Sequence, residues 1–438
     1  MKKIILILLS FTFAFMGKTQ IFYSDGATVQ IDNGAIVYCN GGVVLTNSTQ
    51  MTNNGELTTT INSALNQPGD FQIGIGTSVS GDGLYFVEQN WINDGIFNGD
   101  DSEVVLYGDA QQTITSNNNT ATVFNHLTLT GNGIGVNRQK TLLATDASTG
   151  VLGILNLNDR ELNTNVNNFY VLNTDPSAIV NSTSYEDEGF VSSIGNGFLI
   201  RNTNQIDSYL FPVGSSDIER RYRPVELTPQ ATTAQAFSVR MNNYSAENDG
   251  YYLNQREDVI GEVNPLFYHS IEGSLEGAQS DLRIYYVPNK DEEWEGIGNW
   301  NNPAQEWQDL ENSMISHHGN YNSLLKENWT FFINNNAYAL INNTSPFVSP
   351  FVIPNVFSPN GDGENDVYYI TSMGLEEFEL IILNRWGNVV FESNDPNEGW
   401  DGTFNGAPCT EGVYFYKLNG KQKNKEIKEH GFLTLVRN

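Results

Sequence analysis

Between residues 20 and 204 the chain consists of short runs in which apolar and polar side chains alternate. Residues 127–130 and 154–157 are two examples, and Asn-Gly, Asp-Gly or Gly-Gly pairs punctuate the region. Alternation with a period of two sends every second side chain to the same face of a β-strand. The pattern therefore predicts a series of short strands, each with one face turned toward an apolar interior.

Glycines recur along this region at nearly constant intervals. Gly34, Gly55, Gly74 and Gly95 are spaced by 21, 19 and 21 residues. Such a period is typical of a parallel β-helix in which each coil makes a tight turn at one corner. Because Asn-Gly also favours two-residue hairpins, a β-sandwich is the alternative. We predict a parallel β-helix-like repeat domain over residues 20–204.

The pattern changes near residue 205, where prolines and longer apolar runs appear. These runs predict a middle antiparallel β-sandwich over 205–343, with one short helix over 306–316. A proline-bearing linker follows at 344–353. The segment 354–438 contains short β-prone runs separated by turns, which predict a small C-terminal Ig-like β-sandwich. Apart from the one helix, we expect an all-β chain.

The first 19 residues have a pattern of their own. Two lysines precede an apolar run over residues 4–15, and the small residues Gly17 and Thr19 precede the predicted cleavage point. A basic start, an apolar run too short to span a bilayer comfortably and a small-residue end are typical of a secretory signal peptide. The sequence therefore predicts that residues 1–19 direct export.

Composition and charge narrow the range of partners. The 438 residues include 51 Asp and Glu against 22 Lys and Arg, which gives a formal net charge of −29. So large an acidic excess repels nucleic acid and anionic membrane surfaces, and neither is expected as a partner. The two cysteines, Cys39 and Cys409, lie far apart in the sequence. They are expected to be separate thiols, with a disulfide as the alternative.

Specific motifs appear in the last fifth of the chain, over residues 354–366, 382–391, 400–406 and 412–416. In order and spacing they closely resemble the gliding-motility-associated C-terminal domain, the type B sorting signal of the type IX secretion system of Bacteroidetes. The positions that carry the resemblance, and that we expect to serve sorting and partner docking, are Asn355, Phe357, Ser358, Pro359, Asn360, Gly361, Asp362, Gly363, Asn384, Arg385, Trp386, Gly387, Trp400, Asp401, Gly402, Gly412, Val413 and Tyr414.

The resemblance implies a route and a partner. Cargo of this family crosses the inner membrane by means of a signal peptide and the outer membrane through the type IX translocon. The resemblance further implies that the C-terminal domain docks on an outer-membrane β-barrel of the PorP/SprF-like or PorV-like type. The protein is then expected at the cell surface, on the outer face of the outer membrane, or in the extracellular medium. Known cargo includes adhesins, gliding-associated proteins and secreted enzymes.

The loop over residues 360–366 offers oxygen ligands at closely spaced positions. Asn360, Asp362, Asn365 and Asp366 are candidates for a structural Ca²⁺ site, because calcium prefers carboxylate and amide oxygens. The loop lacks the glutamate that an EF-hand carries at its twelfth position. The alternative is an Asx-rich turn whose side chains accept hydrogen bonds from backbone amides. No other cofactor is expected.

Two further features of the C-terminal segment each have two interpretations. Trp386 and Trp400 are expected to pack in the core of the small sandwich, with a binding face as the alternative. Lys421, Lys423 and Lys425 lie in a basic stretch of an otherwise acidic chain. They form either a solvated hairpin or a docking patch that steers the domain toward an acidic partner.

The sequence contains no familiar catalytic motif. The five histidines do not form a His-Glu-x-x-His pattern, and a Gly-x-Ser-x-Gly elbow is absent. We therefore expect a non-catalytic surface protein that acts in adhesion, gliding motility or the secretion complex itself. The alternative is a secreted polysaccharide-active enzyme with the β-helix as its catalytic module. Either protein could stack Trp294, Trp300 and Trp307 on a surface polysaccharide, unless these rings form the core of the middle sandwich.

Overall fold

The structure is a computed structural model of the chain. It describes residues 21–118, 120–143, 149–331, 337–343, 351–363, 365–372, 377–396, 398–422 and 425–437. The predicted signal peptide and most of the predicted linker lie outside the described residues. The described part of the chain contains no helix that is long and apolar enough to cross a bilayer. The chain divides into two compact units between residues 344 and 345.

The first unit begins with a series of short strands. They are β1 (Phe22–Asp25), β2 (Thr28–Ile31), β3 (Ile36–Asn40), β4 (Val43–Thr46), β5 (Gln50–Asn53), β6 (Glu56–Thr60), β7 (Phe71–Ile73), β8 (Ser78–Ser80), β9 (Leu84–Val87), β10 (Trp91–Asn93), β11 (Ile96–Phe97), β12 (Glu103–Leu106), β13 (Gln112–Thr115), β14 (Val123–Phe124), β15 (His126–Leu129), β16 (Gln139–Leu142), β17 (Thr149–Val151), β18 (Leu155–Asn158), β19 (Glu161–Asn163), β20 (Phe169–Val171), β21 (Ile179–Asn181), β22 (Phe190–Ser192) and β23 (Leu199–Thr203). Short 3₁₀ turns at Gly135–Arg138 and Pro176–Ala178 interrupt them.

These strands wind through three sheets in rotation, so that three consecutive strands make one coil. Sheet 1 has the order β1-β4-β7-β10-β13-β16-β19-β22, sheet 2 the order β2-β5-β8-β11, and sheet 3 the order β3-β6-β9-β12-β15-β18-β21. In the later coils β14, β17, β20 and β23 take the place of the sheet 2 strands and begin sheet 4. The pairing is parallel throughout, which confirms the predicted parallel β-helix.

The glycines that suggested the repeat lie at two corners of the coil. Gly34 and Gly55 precede strands of sheet 3, whereas Gly74 and Gly95 precede strands of sheet 2. A Cβ atom at Gly55 would lie 2.3 Å from the carbonyl oxygen of Ala35, and one at Gly95 would lie 2.6 Å from the carbonyl oxygen of Gly74. Gly55 and Gly95 therefore allow successive coils to approach closely. The expectation of a single corner is wrong.

The coils also differ in length. Phe22 pairs with Val43, Val43 with Phe71 and Phe71 with Trp91, so three successive coils advance by 21, 28 and 20 residues. The longer coil holds the segment between β6 and β7, in which Asn62 and Gln67 form an isolated bridge. Extra residues thus form surface loops and leave the stack of strands intact.

One coil interior contains a buried amine. Lys140 is fully buried, and its Nζ donates to the carbonyl oxygen of Gly108 (2.7 Å) and to Oε1 of Gln112 (2.5 Å). Burial lowers the pKa of Lys140 to about 7, and repulsion from Arg160 adds to this effect. The thiol of Cys39, in the first coil, has its pKa raised to about 11 by burial.

The rest of the first unit is antiparallel. Its strands are β24 (Tyr209–Phe211), β25 (Gly214–Ser215), β26 (Arg221–Tyr222), β27 (Val225–Pro229), β28 (Gln235–Asn242), β29 (Ile260–Val263), β30 (Tyr268–Gly273), β31 (Ala278–Tyr286), β32 (Gly296–Asn301), β33 (Glu306–Asp309), β34 (Met314–His318), β35 (Tyr321–Phe331) and β36 (Ala337–Asn343). A 3₁₀ turn at Ala246–Asp249 and the short helix α1 (Pro288–Asp291) complete it.

Two antiparallel sheets pack together here, as predicted. Sheet 5 has the order β24-β27-β31-β35-β34, and the second sheet is the continuation of sheet 4 in the order β23-β28-β30-β36-β32-β33. The ring of Phe237 on β28 lies 5.6 Å from that of Phe331 on β35. The helix predicted over 306–316 is wrong, since β33 and β34 occupy most of that segment.

The β-helix and the sandwich share one sheet and one core. Strand β23 pairs in parallel with β20 on one side and antiparallel with β28 on the other. A single apolar cluster extends from Ile31 in the first coils to Leu340 in the sandwich. Regions 20–204 and 205–343 thus differ in strand direction but belong to one compact unit.

The second unit contains strands β37 (Phe351–Val352), β38 (Val356–Phe357), β39 (Thr371–Ser372), β40 (Glu377–Leu383), β41 (Val389–Ser393), β42 (Thr403–Phe404), β43 (Ala407–Pro408), β44 (Gly412–Gln422) and β45 (Lys425–Leu435). Its main sheet has the order β38-β45-β44-β40-β41, in which only β38 and β45 run parallel. One face of this sheet packs on Tyr368, Ile370 and Trp400.

Candidate docking surface

The carboxylate of Asp366 organises the loop that follows β38. Its oxygens accept hydrogen bonds from the backbone amides of Gly361 (2.7 Å), Gly363 (2.8 Å) and Asn360 (2.9 Å). These amides favour the charged carboxylate and hold the pKa of Asp366 below its usual range. Gly361 and Gly363 have φ angles of +84° and +89°, which suit glycine far better than other residues.

These contacts support an Asx-rich turn as the interpretation of the loop. Nδ2 of Asn360 donates to Oδ2 of Asp362 (3.0 Å), and the amide of Asp362 donates to Oδ1 of Asn360 (3.0 Å). Nowhere in the described residues do three or more His, Cys, Asp or Glu side chains group as metal ligands would. Glu364 lies outside the described residues. Calcium binding by Asn360, Asp362, Asn365 and Asp366 stays an untested prediction.

Phe357, Trp400 and Tyr414 lie in the core of the second unit. Trp400 is 1% exposed, and its ring centroid lies 5.3 Å from that of Phe357 and 4.9 Å from that of Tyr414. The indole Nε1 donates to the carbonyl oxygen of Thr403 at 2.8 Å, so its polar atom is satisfied. Trp400 is thus a core residue, as predicted, and these three side chains support the domain from inside.

Several motif residues act through turns and backbone hydrogen bonds. The carbonyl oxygen of Asn355 accepts from the amide of Thr434 (2.9 Å), which attaches β38 to β45. Oδ1 of Asp401 accepts from the amide (2.9 Å) and the hydroxyl (2.8 Å) of Thr403. The amide of Ser358 donates to the carbonyl oxygen of Asn365 at 2.9 Å. These residues shape the loops that surround the core.

Arg437 connects three of the motifs. Its Nη2 donates to the carbonyl oxygen of Gly402 (2.8 Å), and its Nη1 donates to that of Pro359 (3.3 Å). Its backbone amide donates to the carboxylate of Glu411, which precedes Gly412. The loops after β38, before β42 and before β44 therefore meet just beyond the end of β45. This role of Arg437 was not predicted from the sequence.

The turn between β40 and β41 presents Trp386 to solvent. Oδ1 of Asn384 accepts hydrogen bonds from the amides of Trp386 (3.0 Å) and Asn388 (3.0 Å), and Gly387 has a φ angle of +82°. The turn places the indole beyond the ends of both strands, and Trp386 is 80% exposed. The expectation that Trp386 packs in the core is therefore wrong.

A pocket of about 300 Å³ opens beside this turn. Residues that carry the motif resemblance form one side of the pocket, and apolar and polar residues of the β42–β44 region form the other. The lining residues are Asn384, Arg385, Trp386, Val390, Phe404, Ala407, Pro408, Cys409, Thr410, Val413 and Tyr414. Two motifs that are separate in sequence thus contribute to one concave, partly apolar site.

An apolar row crosses the outer face of the main sheet. Leu383 pairs with Val389 on one side and with Phe415 on the other, and Phe415 pairs with Phe432. Directly paired residues share a face, so these four side chains, which we call the apolar row, lie side by side across four strands. Val389, Phe415 and Phe432 are 42%, 47% and 59% exposed. Val413, 45% exposed, lies two residues from Phe415 on the same face.

None of the four residues of the apolar row was predicted from the sequence as a docking residue. The signal was present in residues 413–416, which are apolar or aromatic at every position. A strand that is apolar on both faces is expected to be covered on both faces. Tyr414 and Leu418 face the core, so the alternate positions Val413 and Phe415 must face outward.

The basic stretch is only partly described. Lys421 lies 3.8 Å from the carboxylate of Glu377 on the neighbouring strand. Lys423 and the side chain of Lys425 lie outside the described residues. The long hairpin of β44 and β45 agrees with the hairpin interpretation, and the proposed steering role stays a prediction.

The second unit is thus a small β domain with an aromatic core and an exposed apolar face. A contiguous apolar face of this kind is typical of an interaction site. Residues 351–435 match the family described as the CHU_C Type IX secretion signal domain. The chain is therefore a cargo of the type IX secretion system with a type B C-terminal domain, and it is exported across the outer membrane. Comparisons with curated proteins and with solved structures find no match.

Proposed function

We propose that the exported protein acts at the outer face of the outer membrane without catalysis, and that its C-terminal unit docks on an outer-membrane β-barrel of the PorP/SprF-like or PorV-like type. The observation that carries this proposal is the apolar row together with exposed Trp386 beside the pocket. An isolated exposed apolar side chain is ordinary, whereas a contiguous apolar face is typical of an interaction site.

The chemistry of this face suits a stable partner. Burial of apolar surface contributes about 25 cal/mol for each Å² removed from water. Exposed Trp residues next to pockets are frequent centres of binding energy, because a large rigid ring gains much contact for little lost freedom. The apolar row contributes four aromatic or aliphatic side chains to the contact with a barrel, and Trp386 contributes an indole.

For the first unit we propose a role in adhesion, gliding motility or the secretion complex. The buried positions of Trp294, Trp300 and Trp307, each at most 2% exposed, argue against these rings as a sugar platform. Trp294 packs in the large apolar cluster of the first unit, and Trp300 and Trp307 pack in a second buried cluster with Tyr268. All three rings are thus core residues of the middle region, which was one of the two interpretations. A polysaccharide digestion assay with the purified protein tests the alternative of a secreted enzyme.

A pull-down tests the docking proposal. Tagged protein is recovered from gently solubilised outer membranes, and its companions are identified by mass spectrometry. We expect a barrel in near-stoichiometric amount with the wild type, and at least tenfold less with a combined Trp386→Ala, Phe415→Ala and Phe432→Ala variant.

The matched control is Tyr369→Ala, which removes an aromatic ring that is 47% exposed but does not line the pocket. This variant should recover as much barrel as the wild type, and all variants should keep the thermal unfolding midpoint of the wild type. Equal barrel recovery with the combined variant would overturn the docking face. If the protein is instead recovered from the medium, without a barrel and without its C-terminal unit, that unit serves only as a sorting signal.

A further inference from the structure

The outer face of sheet 3 carries a second concave site, in the first unit. This groove of about 720 Å³ follows strands β3, β6 and β9 and is open to solvent along its length. Three aromatic rings (Tyr38, Phe86 and Tyr107) and two carboxylates (Glu56 and Glu88) are among its lining residues. None of these five residues belongs to a site that was predicted from the sequence.

The strand register sets the spacing of two of the rings. Tyr38 on β3 pairs with Thr58 on β6, and Thr58 pairs with Phe86 on β9. Neighbouring strands are about 4.8 Å apart, so Tyr38 and Phe86 stand about 10 Å apart with the small Thr58 between them. Tyr38 is 58% exposed. Two aromatic walls thus flank a polar floor.

The third ring lies along the sheet. The hydroxyl of Tyr107 donates to the carbonyl oxygen of Thr59 at 2.8 Å. Leu106 pairs with Val87 and Val87 pairs with Thr59, so this hydroxyl reaches a carbonyl two strands away from its own strand. A tyrosine that spans two strands must lie nearly flat on the face, and Tyr107 is half-buried there.

The carboxylates supply hydrogen-bond acceptors at the edges of the groove. Oε2 of Glu88 accepts from the backbone amide of Ile61 at 2.6 Å, which fixes the carboxylate beside the loop that follows β6. Glu56 lines the groove from the opposite end of β6. An ionised carboxylate only accepts hydrogen bonds, so it suits hydroxyl donors and repels anions.

We propose that this groove binds a neutral glycan chain. A sugar ring has an apolar C–H face and an edge of hydroxyl groups, which match the aromatic rings and the carboxylates respectively. We infer a neutral glycan because the two carboxylates and the acidic protein repel anionic polysaccharides. This inference rests on the proposed surface role, and it names the ligand class that an adhesive role of the first unit would use.

The same geometry favours binding of the glycan over its cleavage. It also favours an extended glycan over a compact cation as the ligand. Glu88 follows Val87, which pairs with Thr59, so Glu88 is level with Thr60 on the neighbouring strand. Thr60 lies four residues along β6 from Glu56, and the two carboxylates are therefore four residues apart along the strand direction. Four residues of strand extend about 13 Å, beyond the roughly 5–9.5 Å that separates the two carboxyl groups of glycosidases. An ammonium ligand prefers an aromatic cage that encloses it, whereas this groove is open.

Calorimetric titration of the full chain tests the inference. The probes are the neutral hexaoses of cellulose, xylan, laminarin and mannan, the acidic hexagalacturonate, and choline chloride. We expect at least one neutral hexaose to bind and the combined Tyr38→Ala and Phe86→Ala variant to bind it at least tenfold more weakly. The matched control is Tyr23→Ala, which removes a 60% exposed tyrosine on sheet 1 and should change nothing.

Four results would overturn the inference: no binding of any neutral hexaose, tighter binding of hexagalacturonate or of choline, equal loss of affinity in the Tyr23 variant, or shorter products from a bound hexaose. Shorter products would favour the enzyme alternative. Because this titration uses purified protein, a failure to bind any glycan says nothing about the docking proposal, which the pull-down tests separately. Failure of the pull-down likewise leaves the titration result unaffected.

Discussion

Nη2 of Arg437 donates a hydrogen bond to the carbonyl oxygen of Gly402 at 2.8 Å. Gly402 has a φ angle of +76°, and the guanidinium reaches it from just beyond the end of β45. The contact joins the segment that follows the last strand to the loop that also holds the core residue Trp400. Through this one side chain, the conformation of the loop and that of the segment after β45 stabilise each other.

Replacement of Arg437 by Ala is expected to destabilise the second unit by about 1–3 kcal/mol, because hydrogen bonds from a charged donor are lost and their acceptors are left behind. Arg385→Ala, which removes an exposed arginine of the same unit, should have little effect. Hydrogen exchange of the second unit, measured peptide by peptide, checks both variants. Equal exchange in the two variants would contradict the role assigned to Arg437.

Replacement of Asp366 by Asn is expected to loosen its loop in a pH-dependent way. The folded state depresses the pKa of Asp366 through amide donors, so its contribution is fully present above the unfolded pKa of about 3.9 and is lost as pH falls through the folded pKa. Exchange of the Gly361 and Gly363 amides should therefore differ between wild type and variant at neutral pH, and converge in acid. Asp362→Asn should leave these amides protected, and loss of protection in both variants would refute the assignment.

The buried amine of Lys140 predicts a stability change at alkaline pH. Its folded pKa of about 7 lies below the unfolded value of about 10.4, so between these values the unfolded chain binds more protons and stability rises with pH. Relative to Lys140→Met, the wild type should gain about 1.4 kcal/mol for each pH unit in this window.

Urea unfolding at about pH 7.5, 8.5 and 9.5 measures this slope, which is taken as the difference between wild type and variant. Lys290→Met is the matched control. Its partner Glu186 raises the pKa of Lys290, so that amine stays protonated throughout the window and adds no slope. A flat difference for Lys140 would show that its amine is solvated.

The aromatic cluster of the early coils predicts a large loss of stability. Trp91 stacks on Phe71 with centroids 4.8 Å apart and contacts Phe97 and Phe124 edge-on at 4.9 and 5.5 Å. Trp91→Ala should cost about 3–5 kcal/mol in urea unfolding, because it leaves a cavity in a closed coil. Ile36→Ala, at a position 72% exposed, should cost less than about 0.5 kcal/mol. Similar costs at both positions would contradict the fold.

The strand pattern was predictable because a period of two is local, whereas the details that failed depend on distant residues. Residues 306–309 form a strand because Trp307 pairs with Trp300 across a hairpin, which local composition does not reveal. The glycine spacing indicated the coils, but the loop between β6 and β7 made their lengths unequal. Secondary-structure pattern alone does not show which corner a glycine occupies.

For the candidate site, the motifs indicated the domain but not its working surface. Trp386 and Trp400 look alike in sequence, yet a side-chain hydrogen-bonded turn exposes the first and a buried core encloses the second. Phe415 and Phe432 are 17 positions apart, and only the register of β44 and β45 makes them neighbours. Arg437 acts through carbonyl groups, which leave no signature in the sequence.

The antiparallel partner of β23 has a consequence for self-association. A stack of parallel coils ends in an open strand edge, and such an edge can recruit the matching end of another molecule and grow into a fibre. In sheet 4 the next strand, β28, runs in the opposite direction and leads into the sandwich, so a second β-helix finds no continuing template there. A chain shortened after residue 204 would lose this stop and should polymerise end to end.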